Sequence, residues 1–237
     1  MGIQTNIKLR GTVENIIYYQ WKGIHCIRTV PAKVRQTKPT KKAAKDFGLA
    51  VKSSAVVRYL LRPLMPKDGD RSVIYKVDGA FRKWLKENPL DNTEPADGIP
   101  DFEGLAFNDD CDLQKIVQFQ ITFSRGASGE VLLQWPACNP VSAIKAPTGT
   151  CQLVVQCIAA TVDVKAPGRQ QSTAINFTIP YRDEMMPGRE IVFANATSPQ
   201  CLALVGMSIR YYKDELQSKP INIMRWKPAG IAASFFN

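Results

Sequence analysis

A catalytic acid, base or nucleophile would have to come from a short inventory in this chain. Its 237 residues include one histidine, His25, followed directly by Cys26. Neighbouring side chains on an extended segment point to opposite faces, so the two cannot form a Cys–His dyad. A catalytic zinc centre draws on several histidines or on histidine with carboxylates, and a single histidine argues against one. The sequence has no G-x-S-x-G elbow, no Walker loop and no G-x-G-x-x-G turn. Its six cysteines (Cys26, Cys111, Cys138, Cys151, Cys157 and Cys201) show no C-x-x-C spacing, so buried free thiols are expected. Asp91, Glu94, Asp97, Asp101, Glu103, Asp109, Asp110 and Asp112 could offer hard oxygen ligands to Ca²⁺. The stretch "DNTEPADG" lacks the alternation of an EF-hand loop, however, and a solvated acidic loop is the expectation. No spacing favours a carboxylate pair for glycoside hydrolysis. These residues predict a chain that is not an enzyme, with no cofactor and no metal.

The strongest remaining signal is cationic. "PAKVRQTKPTKKAAKDF" carries Lys33, Arg35, Lys38, Lys41, Lys42 and Lys45, and Lys52 continues the run. Placed in the first turns of a helix, lysines meet the positive end of the macrodipole, at a cost of about 0.3–1 kcal/mol each. Either they lie in water or something anionic binds there. A polyanion would be held electrostatically and without sequence preference, with phosphate contacts from the helix N–H groups that follow Thr40. Tyr18, Tyr19 and Trp21 could stack on single-stranded bases or line an interface. The competing expectations are a solvated face, neutralisation by the chain's own acidic stretch, or a protein partner.

Charge is unevenly distributed. Residues 1–67 hold fourteen Lys and Arg against two acids, whereas residues 87–130 hold two against ten. A hydrophobic fraction of 45% and a charged fraction of 22% are those of a globular chain. No apolar run is long enough to span a bilayer, and "MGIQTNIKLRG" lacks the core of a signal peptide. Asn6 stands where a myristoylation motif wants Ser or Thr. A cytoplasmic protein is the expectation.

The elements that would position these groups fall into three segments. Residues 1–86 read as a basic hairpin–helix module. Ile16–Trp21 and Ile24–Val30 are strand runs closed at Trp21-Lys22-Gly23. A helix runs from an N-cap at Thr40 to Pro63, with Phe47, Ala50, Val51, Val57 and Leu61 on one face and Lys41, Lys45 and Lys52 opposite. A second helix crosses "VIYKVDGAFRKWLKEN" with Val77, Phe81, Trp84 and Leu85 inward. Residues 87–112, rich in Pro, Gly and acids, read as a linker or long surface loop. Residues 113–237 change to period two. Strands are predicted in "LQKIVQFQITF", "EVLLQW", "CQLVVQCIAATVDV", "AINFTIPY", "EIVFA" and "CLALVGMSIRYY", and more weakly in "INIMRW". The fold class expected is mainly β, α+β overall, with an antiparallel sandwich of the immunoglobulin or fibronectin type.

"GTVENIIYYQWKGIHCIRTVPAKVRQTKPT" resembles the N-terminal signature of an uncharacterised bacterial family. There, a Gly-x-Val-x-Asn run leads to a Trp-Lys-Gly turn, then Arg, Pro and a basic stretch before a helix containing Phe. The matching positions are Gly11, Val13, Asn15, Trp21, Lys22, Gly23, Arg28, Pro31 and Phe47, and "LLQW" matches the opening of the family's C-terminal sandwich. Glu14 replaces the family's usual glycine. The family has no established activity, so the resemblance implies an architecture and no chemistry. The functional expectation is a non-enzymatic interaction or assembly protein docking to a partner or a second copy. The alternative is a nucleic-acid-binding protein that uses the basic helix.

Overall fold

The computed structural model describes residues 2–4, 8–31, 36–66, 72–87, 102–126, 129–163, 170–194 and 201–236. By its internal contacts the chain divides into two units, Met1–Ala43 and Ala44–Asn237. It is mainly β with three antiparallel sheets, and α+β overall.

The first unit is a four-stranded sheet of β1 (Gly2–Ile3), β2 (Gly11–Val13), β3 (Ile16–Trp21) and β4 (Ile24–Thr29), in the order β1-β4-β3-β2. The β3–β4 hairpin closes where the sequence predicts. Lys22 and Gly23 both take positive φ, 49° and 81°, as a two-residue turn matched to strand twist requires. Glu14, in the β2–β3 turn, sits at φ 48°. This is the left-handed conformation that glycine adopts without steric cost.

Helix α1 (Lys38–Leu61) begins earlier than expected. The residue capping it is Thr37. Its Oγ1 accepts from the Thr40 amide at 3.4 Å, and its carbonyl accepts from Lys41 N–H at 3.0 Å. Thr40 lies inside the first turn, its hydroxyl 2.9 Å from that of Thr37.

The second unit is layered. A four-stranded sheet of β7 (Gln152–Asp163), β8 (Gln170–Pro180), β10 (Cys201–Tyr212) and β11 (Ala229–Phe236) runs in the order β11-β10-β7-β8. On one face it packs on the helices. Ala50, Val57 and Leu61 of α1, with Val77, Phe81, Trp84 and Leu85 of α2 (Ser72–Glu87), close over Ile158, Ala160, Leu202, Leu204 and Ile231. On the other face it packs on a three-stranded sheet of β5 (Thr122–Arg125), β6 (Val131–Trp135) and β9 (Arg189–Phe193). There Val131, Leu133, Trp135 and Phe193 meet Val155, Cys157, Phe177, Val205 and Met207. Trp135 anchors this core, edge-to-face with Phe119 at 4.9 Å and with Phe177 at 5.2 Å. Because β10 is covered on both faces, Cys201–Ile209 reads as a continuous buried run instead of alternating.

Several expectations change. In 113–123 the first four residues form a helical turn, α3 (Leu113–Ile116), capped by Asp112 Oδ1 on Gln114 N–H at 3.0 Å. Val117 makes one bridge to Ile144, and the strand begins only at Thr122. The alternation was real, since Val117 is buried and Phe119, Ile121 and Phe123 pack partly on the core. An extended segment shows that pattern with or without a ladder partner. "INIMRW" ends in a 3₁₀ turn, Met224–Trp226, and forms no strand. The strand beyond it, "AGIAASFF", has small residues and little alternation, and periodicity gives no sign of it. A short helix, α4 (Pro140–Ala143), was also unforeseen; Asn139 Oδ1 caps it by accepting from Val141 N–H. Finally, the described part of the acidic stretch is anchored. Phe102 and Phe107 are fully buried, and Leu105 and Phe107 exchange backbone hydrogen bonds with β11. Residues 88–101 lie outside the described residues.

Candidate interaction surface

The N-terminal sheet is built with almost no interior. Among its described residues, Cys26 is the buried apolar side chain and Gln4 the buried polar one. Gln4 works as a staple. Its backbone N–H donates to His25 O at 2.9 Å, its Nε2 donates to Cys26 O at 3.0 Å and Leu9 O at 3.3 Å, and its Oε1 accepts from Leu9 N–H at 2.7 Å. That network satisfies the strand edge and leaves the faces of the sheet largely uncovered.

Register decides which side chains share a face. Tyr19 pairs with Cys26 and Trp21 with Ile24, while Ile3 pairs with Cys26 from the other side. Ile3, Ile17, Tyr19, Trp21 and Ile24 therefore lie on one face around Cys26, with Arg28 at its end. Ile3, Trp21 and Ile24 are 63%, 53% and 49% exposed. Two cations lie over the rings: Arg28 at 5.6 Å from the Tyr19 centroid and Lys22 at 5.1 Å from that of Trp21. Of the expected aromatic set, Tyr19 and Trp21 come together. Tyr18 pairs with Ile27 and points to the opposite face, as strand pleating demands. Ile3 and Ile24 belong to the surface although sequence reasoning passed over them. The signal that finds them is the pairing register, which composition does not contain.

His25 and Cys26 fall on opposite faces, as expected. His25 is half-buried with its Nδ1 unpartnered, and Cys26 is buried.

The cationic run divides by position. Lys33 and Arg35 lie outside the described residues. Lys38, Lys41, Lys42, Lys45 and Lys52 are all exposed on α1, and Lys41, Lys45 and Lys52 form the expected stripe. The self-capping by Thr37 changes the local chemistry, because the Lys41 amide, the first of those expected to receive a phosphate, already has an acceptor. Phe47, expected inward, is 49% exposed beneath the guanidinium of Arg82, 4.3 Å from its ring centroid. The described acids do other work. Asp109 pairs with Lys76, Asp112 caps α3, and Asp214 caps a turn: the Ser218 hydroxyl, with the Lys219 and Ser218 amides, donates to its carboxylate and holds it below the usual range.

Five of the six cysteines are buried free thiols, and Cys151 is exposed. Burial pushes Cys157 up to about 12 and Cys111 to about 11, the reverse of what a nucleophile needs. Among the described residues no three His, Cys, Asp or Glu side chains converge as a metal site, and no helix is long and apolar enough to cross a membrane. Comparison with protein-family models, with curated proteins and with solved structures finds no match to this chain.

Proposed function

We propose that this is a non-enzymatic interaction or assembly protein. Its N-terminal sheet docks onto a protein partner or a second copy, and the layered unit, read as an immunoglobulin-like sandwich, serves as the scaffold. One observation carries the reading: a four-stranded sheet that, among its described residues, buries a single apolar side chain while Ile3, Trp21 and Ile24 stand in solvent. Small sheets need an apolar face packed on something to offset chain entropy. An uncovered aromatic–aliphatic face is the usual mark of a binding surface, and an exposed tryptophan suits an interface anchor.

A second reading is favoured by the cations. Residues 1–43 hold nine Lys and Arg against Glu14 alone, and Arg28 and Lys22 lie over the aromatic rings. Single-stranded nucleic acid would use stacking and charge together.

Light scattering coupled to size exclusion, at low and high salt, tests the first reading. Apolar docking predicts an oligomer or partner complex that persists at high salt, and Trp21→Ala with Ile24→Ser should dissociate it. A monomer indifferent to those substitutions, with no stable partner, would remove this reading. The second predicts oligonucleotide affinity that falls steeply with salt and vanishes when Lys41, Lys42 and Lys45 become Glu.

A further inference from the structure

A cleft of about 440 Å³ opens in the second unit, where the 3₁₀ turn Arg62–Leu64 faces the outer end of β10 and the loop leading into β11. We propose that it binds a small organic anion carrying a planar ring, an aromatic carboxylate or an aryl phosphate. Its size falls within the range of about 300–1,000 Å³ typical of small-molecule sites.

The charge of the lining selects the ligand's sign. Arg210 and Lys227 line the cleft, and no carboxylate does among the described residues. Arg210 is pre-oriented: its Nη2 donates to Pro63 O at 3.3 Å and to Gln156 Oε1 at 3.0 Å. That leaves the Nη1 N–H groups to donate to an oxygen of a carboxylate or phosphate. Ser208 also lines the cleft, 5% exposed, with its Oγ buried and lacking a hydrogen-bond partner. That Oγ has no exposed surface, so the headgroup contacts fall to Arg210 and Lys227.

The walls select the ring. Trp226 and Tyr212 are among the lining residues. Trp226 is held edge-to-face against Tyr211, centroids 6.0 Å apart, and Tyr211 is itself tied through its hydroxyl to Lys145 O at 3.1 Å. Pro63, Pro66, Pro220 and Pro228 complete the rim. Fixed backbone torsions at four prolines limit the ordering cost of binding.

The test is titration of the full chain, labelled with ¹⁵N, with phenyl phosphate, indole-3-acetate, inorganic phosphate and the neutral indole-3-acetamide. The Trp226 indole N–H signal is assigned from Trp226→Phe. The proposal expects saturable movement of that signal with at least one aromatic anion, at a Kd of about 1 mM or tighter. Inorganic phosphate and the neutral amide should bind about tenfold more weakly or not at all. The stronger of the two aromatic anions identifies the headgroup. Arg210→Met and, separately, Lys227→Met should each weaken binding by about tenfold, while Lys41→Met leaves it unchanged. Because Arg210 also anchors the 3₁₀ turn, Lys227→Met and the wild-type titration stand even if Arg210→Met unfolds. No saturable shift of the Trp226 signal with either aromatic anion overturns the proposal, as does equal binding of indole-3-acetate and its amide.

Discussion

Arg58 of α1 places its Nη1 2.5 Å from Asp78 Oδ1 of α2, and the buried Ser54 hydroxyl hydrogen-bonds to both. The two charged side chains keep only 20% and 14% of their exposure. They join the helices beside the apolar seam of Val57 and Val77. Truncating one partner strands the other in a poorly solvated site, so Asp78→Ala should cost about 1–3 kcal/mol, less than a fully buried pair would. Urea unfolding measures it. The double variant Arg58→Met/Asp78→Leu should recover most of the loss, and an additive loss would show that the pair is not coupled.

Gly230 and Gly48 are predicted to respond oppositely to alanine. A Cβ at Gly230 would stand 2.8 Å from the Leu105 carbonyl oxygen, a backbone atom tied into pairing with β11. Gly230→Ala should therefore destabilise by about 1–3 kcal/mol through overpacking. Within α1 a Cβ at Gly48 meets nothing within 4 Å, and Gly48→Ala should stabilise by about 0.5–1 kcal/mol through helix propensity. Thermal melts of the two variants should move in opposite directions.

Glu14 holds a left-handed backbone at φ 48°. Glycine relieves the steric cost of about 1–2 kcal/mol but returns freedom to the unfolded chain. Glu14→Gly should accordingly stabilise the N-terminal sheet by about 0.5–1 kcal/mol, read as slower hydrogen exchange at the β2–β3 amides. Faster exchange there would mean that the Glu14 side chain contributes more than its backbone costs.

Thiol reactivity and alkaline stability follow from burial. At mildly alkaline pH a thiol reagent should label exposed Cys151 first and Cys157 only on unfolding. Burial raises Cys111 to about 11 and Cys157 to about 12, so the folded state holds protons that the unfolded state releases from about pH 8.5. These groups contribute full stability below that pH. The contribution is lost progressively as pH rises toward 11–12. Cys157→Ala should flatten this part of the stability–pH profile.

Much of the layered core was legible because its pattern is local. Val77, Phe81, Trp84 and Leu85 recur at helical spacing and are all buried in α2. "EVLLQW" and "CQLVVQCIAATVDV" are apolar enough to declare strands β6 and β7 with little tertiary help. The hairpin at Lys22-Gly23 was readable because the turn needs positive φ at two positions and glycine at one of them is a direct cue.

Of the candidate surfaces, the sequence itself determined only the inventory: a cationic head, two helix faces and a set of strong strands. It could not separate Tyr18 from Tyr19, nor unite Ile3, Trp21 and Ile24, because strand register is a relation between segments. It gave no sign that "AGIAASFF" would be a strand, since small residues acquire that role from β10 and from Leu105 beside them. Nor could it bring Pro63, Arg210 and Trp226 around one cleft, because nothing local relates positions so far apart in the chain. Local periodicity sets which elements exist, whereas contacts among distant residues decide which side chains meet.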